Sequence, residues 1–78
     1  MRARVMECVR VGGGYRAIIE YPAAWIGWRY AIEIDGVRVV GFALLWSGKP
    51  ALACTVKKPL SGVVEISESR PIERLWPW

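Results

Sequence analysis

Residues 28–58 constrain the fold most, because they encode a three-stranded β-meander together with its register. Trp28, Tyr30, Ile32 and Ile34 alternate with Arg29, Ala31, Glu33 and Asp35, the period of two expected of a half-buried strand. Asp35-Gly36 follows, a dipeptide favoured in two-residue type I′ turns, where both central residues need φ > 0. Such a turn sets Ile34 opposite Val37, Glu33 opposite Arg38, Ile32 opposite Val39 and Tyr30 opposite Gly41. An apolar face, a pair of opposite charges and an aromatic across from a glycine all agree on this register. Tyr30 is expected to cover Gly41 on the core side, with Glu33 and Arg38 facing solvent.

Three more strands surround the meander. Residues 3–11 alternate imperfectly, with Val5, Val9 and Val11 inward and Arg4 and Arg10 outward. Glu7 then falls on the apolar side, which implies either a bulge or a paired buried carboxylate. Gly12-Gly13-Gly14 supplies a tight turn, or alternatively a phosphate cradle that lacks the usual following helix. Residues 15–21 return as a second strand, Pro22 ends it, and residues 23–27 form a loop carrying Trp25. Ser47-Gly48-Lys49-Pro50 is the next turn. Closed with Trp46 opposite Ala51, it makes Phe42 face Thr55 and Val40 face Lys57. Residues 51–57 form strand five, and 63–67 a short sixth.

Six short antiparallel strands at close turn spacing, with no substantial helix, predict an all-β fold, a small six-stranded barrel. Closure removes edges that so apolar a chain would otherwise expose. The segment 71–78 is too short and Pro-interrupted for a helix. It reads as an apolar tail on a single domain spanning 1–78. This tail is expected to pack, either across an open end of its own barrel or into a partner's groove, the alternative being a disordered end.

Composition narrows the chemistry. The 78 residues are 54% hydrophobic with five Trp, enough for one core. No apolar run approaches the ~20 residues of a membrane span. No apolar segment follows the basic start as in a signal peptide, so a cytoplasmic chain is expected. There is no His, Asn or Gln, and Arg outnumbers Lys eight to three, a pattern that suggests a hyperthermophile or biased codon usage. Without His there is no Ser-His or Cys-His pair and no imidazole metal ligand. No carboxylate pair sits in a recognisable motif. The chain therefore reads as a non-enzyme without cofactor or metal. Cys8 and Cys54 form no CxxC and suit either small buried apolar roles or a disulfide. The net charge of +4 and pI near 9.5 favour an anionic partner, although no basic run marks an arm.

The second half carries a family resemblance. Val39-Val40-Gly41-Phe42, Trp46-Ser47-Gly48-Lys49-Pro50, Ala53-Cys54-Thr55-Val56-Lys57-Lys58-Pro59 and Gly62-Val63-Val64-Glu65-Ile66 together resemble the archaeal GAR-type subunit of the H/ACA ribonucleoprotein. That family has a hydrophobic-Gly strand, an aromatic-Gly-Pro turn, a strand ending in a basic residue and Pro, and a short Gly-led strand. The resemblance covers residues 36–68. The Pro of the turn is displaced here, and Ala51-Leu52-Ala53 stands where a Tyr usually follows. The resemblance implies a six-stranded barrel of the kind seen in translation factors. It also implies a non-catalytic subunit of RNA-guided pseudouridylation, hence of ribosomal RNA processing and ribosome biogenesis. Such a subunit binds the pseudouridine synthase catalytic subunit and contacts RNA indirectly or weakly, with no membrane role.

Two surfaces follow as expectations. The protein-binding edge is Trp46, Gly48, Lys49 and Pro50, joined by Trp76 and Trp78 of the tail. The alternative is single-stranded nucleic acid held by Arg29, Phe42, Thr55 and Lys57, an aromatic platform with basic neighbours. Against that stands the simpler role of Arg29 packing its stem over Phe42. A self-assembling structural protein is the third option.

Overall fold

The computed structural model describes residues 1–75. It places six antiparallel strands in one closed ring, with no helix among the described residues. The strands are β1 (Arg2–Val11), β2 (Gly14–Glu20), β3 (Trp28–Ile34), β4 (Val37–Trp46), β5 (Lys49–Val56) and β6 (Val63–Arg74), and the ring runs β1-β2-β5-β4-β3-β6. The predicted all-β, six-stranded architecture is the one observed.

The β3–β4 hairpin has the expected register, from Ile34 opposite Val37 to Arg29 opposite Phe42. Asp35 and Gly36 adopt φ of 48° and 84°, as a type I′ turn requires. Glu33 and Arg38 stand 3.9 Å apart on the solvent side, an exposed pair that contributes at most ~1 kcal/mol. Tyr30 lies opposite Gly41 on the core side. The atoms nearest to where a Gly41 Cβ would be are the Ala53 carbonyl oxygen at 3.5 Å and Ile32 and Leu52 side-chain carbons at 3.6 Å. Tyr30 also packs edge-on to Tyr21, and its hydroxyl accepts a 2.7 Å hydrogen bond from the Trp25 N–H.

The next hairpin differs from expectation. Ser47 and Gly48 alone make its turn, with φ of 52° and 78°, so Trp46 faces Lys49 rather than Ala51. The whole register moves by two: Phe42 stands opposite Ala53, not Thr55, and Gly41 opposite Cys54. A second type I′ turn wins over a four-residue turn because two positive φ values match the twist of the flanking strands.

In β1 the irregularity at Glu7 resolves as a bulge between Val5 and Glu7. The bulge inverts the facing of everything after it. Cys8 turns inward against the core, while Glu7 shares its ladder row with outward Ile18. Val9 and Val11, expected inside, therefore lie on the outer face, and Val11 is exposed.

β6 runs on through Pro71 to Arg74, far beyond the short strand expected, so residues 71–74 are strand and not tail. Trp76 and Trp78 lie outside the described residues. Pro71 faces Tyr30 at the register shift between Arg29 and Tyr30, the kind of irregularity where a strand accommodates proline. β6 meets β1 only over residues 63–65. That join is reinforced by Val5 N–H to the Gly62 carbonyl at 2.8 Å and Ile66 N–H to the Met1 carbonyl at 2.7 Å.

Inside the ring, Ile19, Leu52, Tyr30, Ile32, Ile34, Val64 and Ile66 pack around Ala3, Ala17 and Ala43. A six-stranded ring is narrow, so small residues alternate with large ones to fill it.

Candidate binding surfaces

Alternation along each strand sends a second set of apolar residues to the outer face. Ile18 lies between the core residues Ala17 and Ile19, points away from the core cluster, and is still only 1% exposed. Its ladder row continues through Ala53 and Phe42 to Arg29 and Glu73. Leu44 and Ala51 form the row beside it, with Leu44 half-buried and Ala51 buried. The outer wall of β2, β5 and β4 is therefore an apolar stripe.

Arg16, Arg29, Val40, Phe42, Thr55 and Leu75 line an open groove of about 270 Å³ in this wall. Three of the residues expected to hold nucleic acid, Arg29, Phe42 and Thr55, do come together here. Lys57 does not: it lies past the end of β5, on the rim. Arg29 directly faces Phe42 across the ladder and reaches Glu73 at 3.1 Å. The corrected register places Thr55 beside Arg16 on β2. A second depression, over β4, β3 and β6, is lined by Ala31, Glu33, Arg38, Val40, Glu68 and Arg70. Within it Glu33 stands 3.9 Å from Arg38 and also accepts from Ser67 Oγ at 2.6 Å.

The expected protein-binding edge sits at the end of the ring formed by the β4–β5 turn and the β2–β3 loop. Trp46 is half-buried opposite Lys49, and the Lys49 ammonium is 3.7 Å from Glu20. Gly48 is exposed at the turn, and Pro50 accepts the Tyr21 N–H at 3.0 Å, tying the turn to the loop. Trp25 packs edge-on to Trp28 at 5.3 Å. Gly27 joins the elements: its N–H donates to Ala43 and its carbonyl accepts from Leu75.

Sequence reasoning missed the most exposed part of this end. Trp25 is 56% and Leu45 60% exposed, and Ile26 and Leu75 are also open to solvent. The run Leu44-Leu45-Trp46, where alternation gives way to unbroken apolar residues, was the available signal.

The two thiols are free. Cys8 and Cys54 both pair with Ala17, one from each side, which separates their Cα atoms by two strand spacings, about 10 Å. That is too far for a disulfide. Burial, and secondarily the neighbouring Cys8, push the Cys54 thiol up to about 11, so it stays protonated and inert at neutral pH. Among the described residues no three His, Cys, Asp or Glu side chains converge as a metal site, and no helix is long and apolar enough to cross a membrane.

In comparison with known proteins, no family model, curated sequence or solved structure matches this chain. The fold and its surfaces define a small all-β ring with an apolar outer wall and an apolar end.

Proposed function

We propose that this protein is a non-catalytic, protein-binding barrel, the accessory subunit of an RNA-guided pseudouridylation ribonucleoprotein of the H/ACA kind. The apolar end is its docking surface for the pseudouridine synthase. The observation that carries the docking surface is the exposure of Trp25 and Leu45 on an ordered, hydrogen-bonded end of the ring. Large apolar residues held rigidly in solvent mark interaction sites, and a preorganised Trp is a usual interface anchor. The assignment to an H/ACA-type complex rests on the resemblance of residues 36–68.

The test is capture from a lysate of the native host with the tagged chain, with the bound synthase identified by mass spectrometry. Trp25→Arg with Leu45→Arg should abolish capture while leaving the melting temperature nearly unchanged. Trp46→Ala should weaken it by ~2 kcal/mol or more. If the synthase is absent from the wild-type eluate, the H/ACA assignment fails. If the double arginine variant captures it equally well, the docking surface is elsewhere.

A further inference from the structure

The groove in the outer wall opens into the docking end. Leu75 lines the groove, and its N–H is held by the Gly27 carbonyl, while the Gly27 N–H is held by the Ala43 carbonyl. Leu75 is thereby fixed beside the loop that carries Trp25 and Ile26. All three side chains are open to solvent, and along the groove the exposed apolar surface continues to Val40, which is 56% exposed. The far side of the groove is β2, where Arg16 stands opposite Thr55 between the inward-facing Tyr15 and Ala17.

The charges of the groove are one-sided. No carboxylate lines it, whereas Glu33 and Glu68 line the depression over β6. Arg29 is engaged by Glu73 at 3.1 Å. Arg16 is exposed, and its guanidinium has no partner among the described residues. An unpaired guanidinium at the end of an apolar groove calls for a carboxylate, which it binds through two parallel hydrogen bonds. A nucleic-acid strand would need a row of cations to follow its phosphates, and Arg16 alone is uncommitted here. A protein segment supplies a single carboxylate together with an apolar side chain. From Arg29 on β3 to Arg16 on β2 the wall is three strand spacings wide, about 14 Å, which about four or five extended residues cover. We infer that the partner docked on the apolar end lays an extended segment of its chain along this groove, with an apolar side chain between Leu75 and Val40 and an Asp or Glu on Arg16. The inference rests on the reading of that end as a docking surface, and it carries the surface across β4 and β5 to β2.

The test titrates the purified full chain into the purified pseudouridine synthase of the same host by calorimetry. Arg16 and Val40 are exposed on the wall, so Arg16→Glu and Val40→Glu should leave the melting temperature nearly unchanged. Each should weaken binding about tenfold or more, and Arg16→Glu should also flatten the dependence of affinity on salt. Arg70→Glu makes the same charge change at an exposed arginine of the other depression and should cost less than about threefold. A photo-crosslinking amino acid in place of Thr55 should join the chain to a synthase segment that contains Asp or Glu. Wild-type affinity in both groove variants, equal losses at Arg16 and Arg70, or cross-links to a segment without a carboxylate would overturn the inference. So would single-stranded RNA that binds the wild type and is lost on Arg16→Glu, which would give the groove to nucleic acid. If Trp25→Arg with Leu45→Arg still abolishes binding, those results leave the docking end standing. A wild-type chain that does not bind the synthase removes both readings.

Discussion

The wall made by β2, β5, β4 and β3 and the seam where β6 meets β1 close the same ring by different means. Every ladder in the wall carries six register pairs without interruption. The seam carries three, and irregularities cluster around it: the bulge after Val5 in β1 and two register shifts between β3 and β6. A ring of six strands must turn sharply somewhere, and bulges supply bend and twist at the cost of ladder bonds. The wall is thus left regular. It holds the apolar stripe and the groove, so the facing of Arg29, Phe42 and Thr55 depends on the wall's register and not on the seam.

The largest expected effect tests whether stability resides in the wall. Leu52 is fully buried between Ile19 on β2 and Ala43 on β4, and Leu52→Ala should cost about 3 kcal/mol. Val64, buried at the seam opposite Ala3, loses fewer atoms and less surrounding ladder, and Val64→Ala should cost about 2 kcal/mol. Urea denaturation of both variants decides it. A larger loss at Val64 would mean that the seam, despite its few pairs, is the strongest part of the ring.

The thiols on either side of Ala17 sharpen the same contrast chemically. Cys54 belongs to the wall, and Cys8 lies towards the seam, half-buried and accepting the Leu60 N–H at 3.4 Å. The Cys54 thiol is pushed up to about 11 by burial, so its folded value exceeds the unfolded one. The unfolded chain then ionises first as pH rises past about 9, and stability present below that point is lost up to about 11. The loss should reach about 2 kcal/mol. It should be absent in Cys54→Ala, so the difference between the two proteins across this pH range isolates it from Tyr and Lys titration. Native labelling with a thiol reagent at pH 8 should modify Cys8 well before Cys54.

Within the wall the β3–β4 ladder was legible in the sequence, and the β4–β5 register and the seam were not, for a physical reason. Alternation and a two-residue turn are local, so Tyr30, Ile32 and Ile34 could be set against Gly41, Val39 and Val37 without knowing the rest. The bulge before Glu7 answers to closure, which no local window contains, and the pattern offered only the choice between a bulge and a buried carboxylate. Pro71 looked like a breaker because its tolerance goes with a register shift between β3 and β6 that only the finished ring defines. The groove was half legible. Arg29 opposite Phe42 followed from the first hairpin, but Thr55 was reached through the wrong register and Lys57 was carried along with it. Exposure of Trp25 and Leu45 depends on where the ring ends, which strand patterns do not state.

Smaller effects bear on the clasp that ties the seam strand β6 to the β3–β4 turn. Asp35 Oδ1 accepts the Glu65 N–H at 2.9 Å, and the Asp35 N–H donates to the Glu65 carbonyl at 2.8 Å. Asp35→Ala removes the acceptor and a residue tolerant of positive φ, at a cost of about 1 kcal/mol. Hydrogen exchange should speed up in β1 and β6 and stay slow in β2, β4 and β5. Uniform acceleration would show that seam and wall open as one unit. On β6, the Ser69 hydroxyl is buried without a hydrogen-bond partner among the described residues, so Ser69→Ala should be neutral or stabilise by up to about 1 kcal/mol.

The smallest effect discriminates most finely, because it asks whether the β4–β5 turn is built as the wall requires. Ser47 holds φ of 52° ahead of Gly48 at 78°, a left-handed conformation that costs an L-residue about 1 kcal/mol. Glycine removes that strain and gives back part of the gain through greater freedom in the unfolded chain. Ser47→Gly should therefore stabilise by about 0.5 kcal/mol, measurable as a shift in the urea midpoint with the m-value unchanged. In a four-residue turn with Trp46 opposite Ala51, residue 47 would have no need of positive φ, and glycine would only add unfolded-state entropy. Destabilisation by Ser47→Gly would then return Phe42 to a position opposite Thr55 and redraw the groove in which Arg29, Phe42 and Thr55 meet.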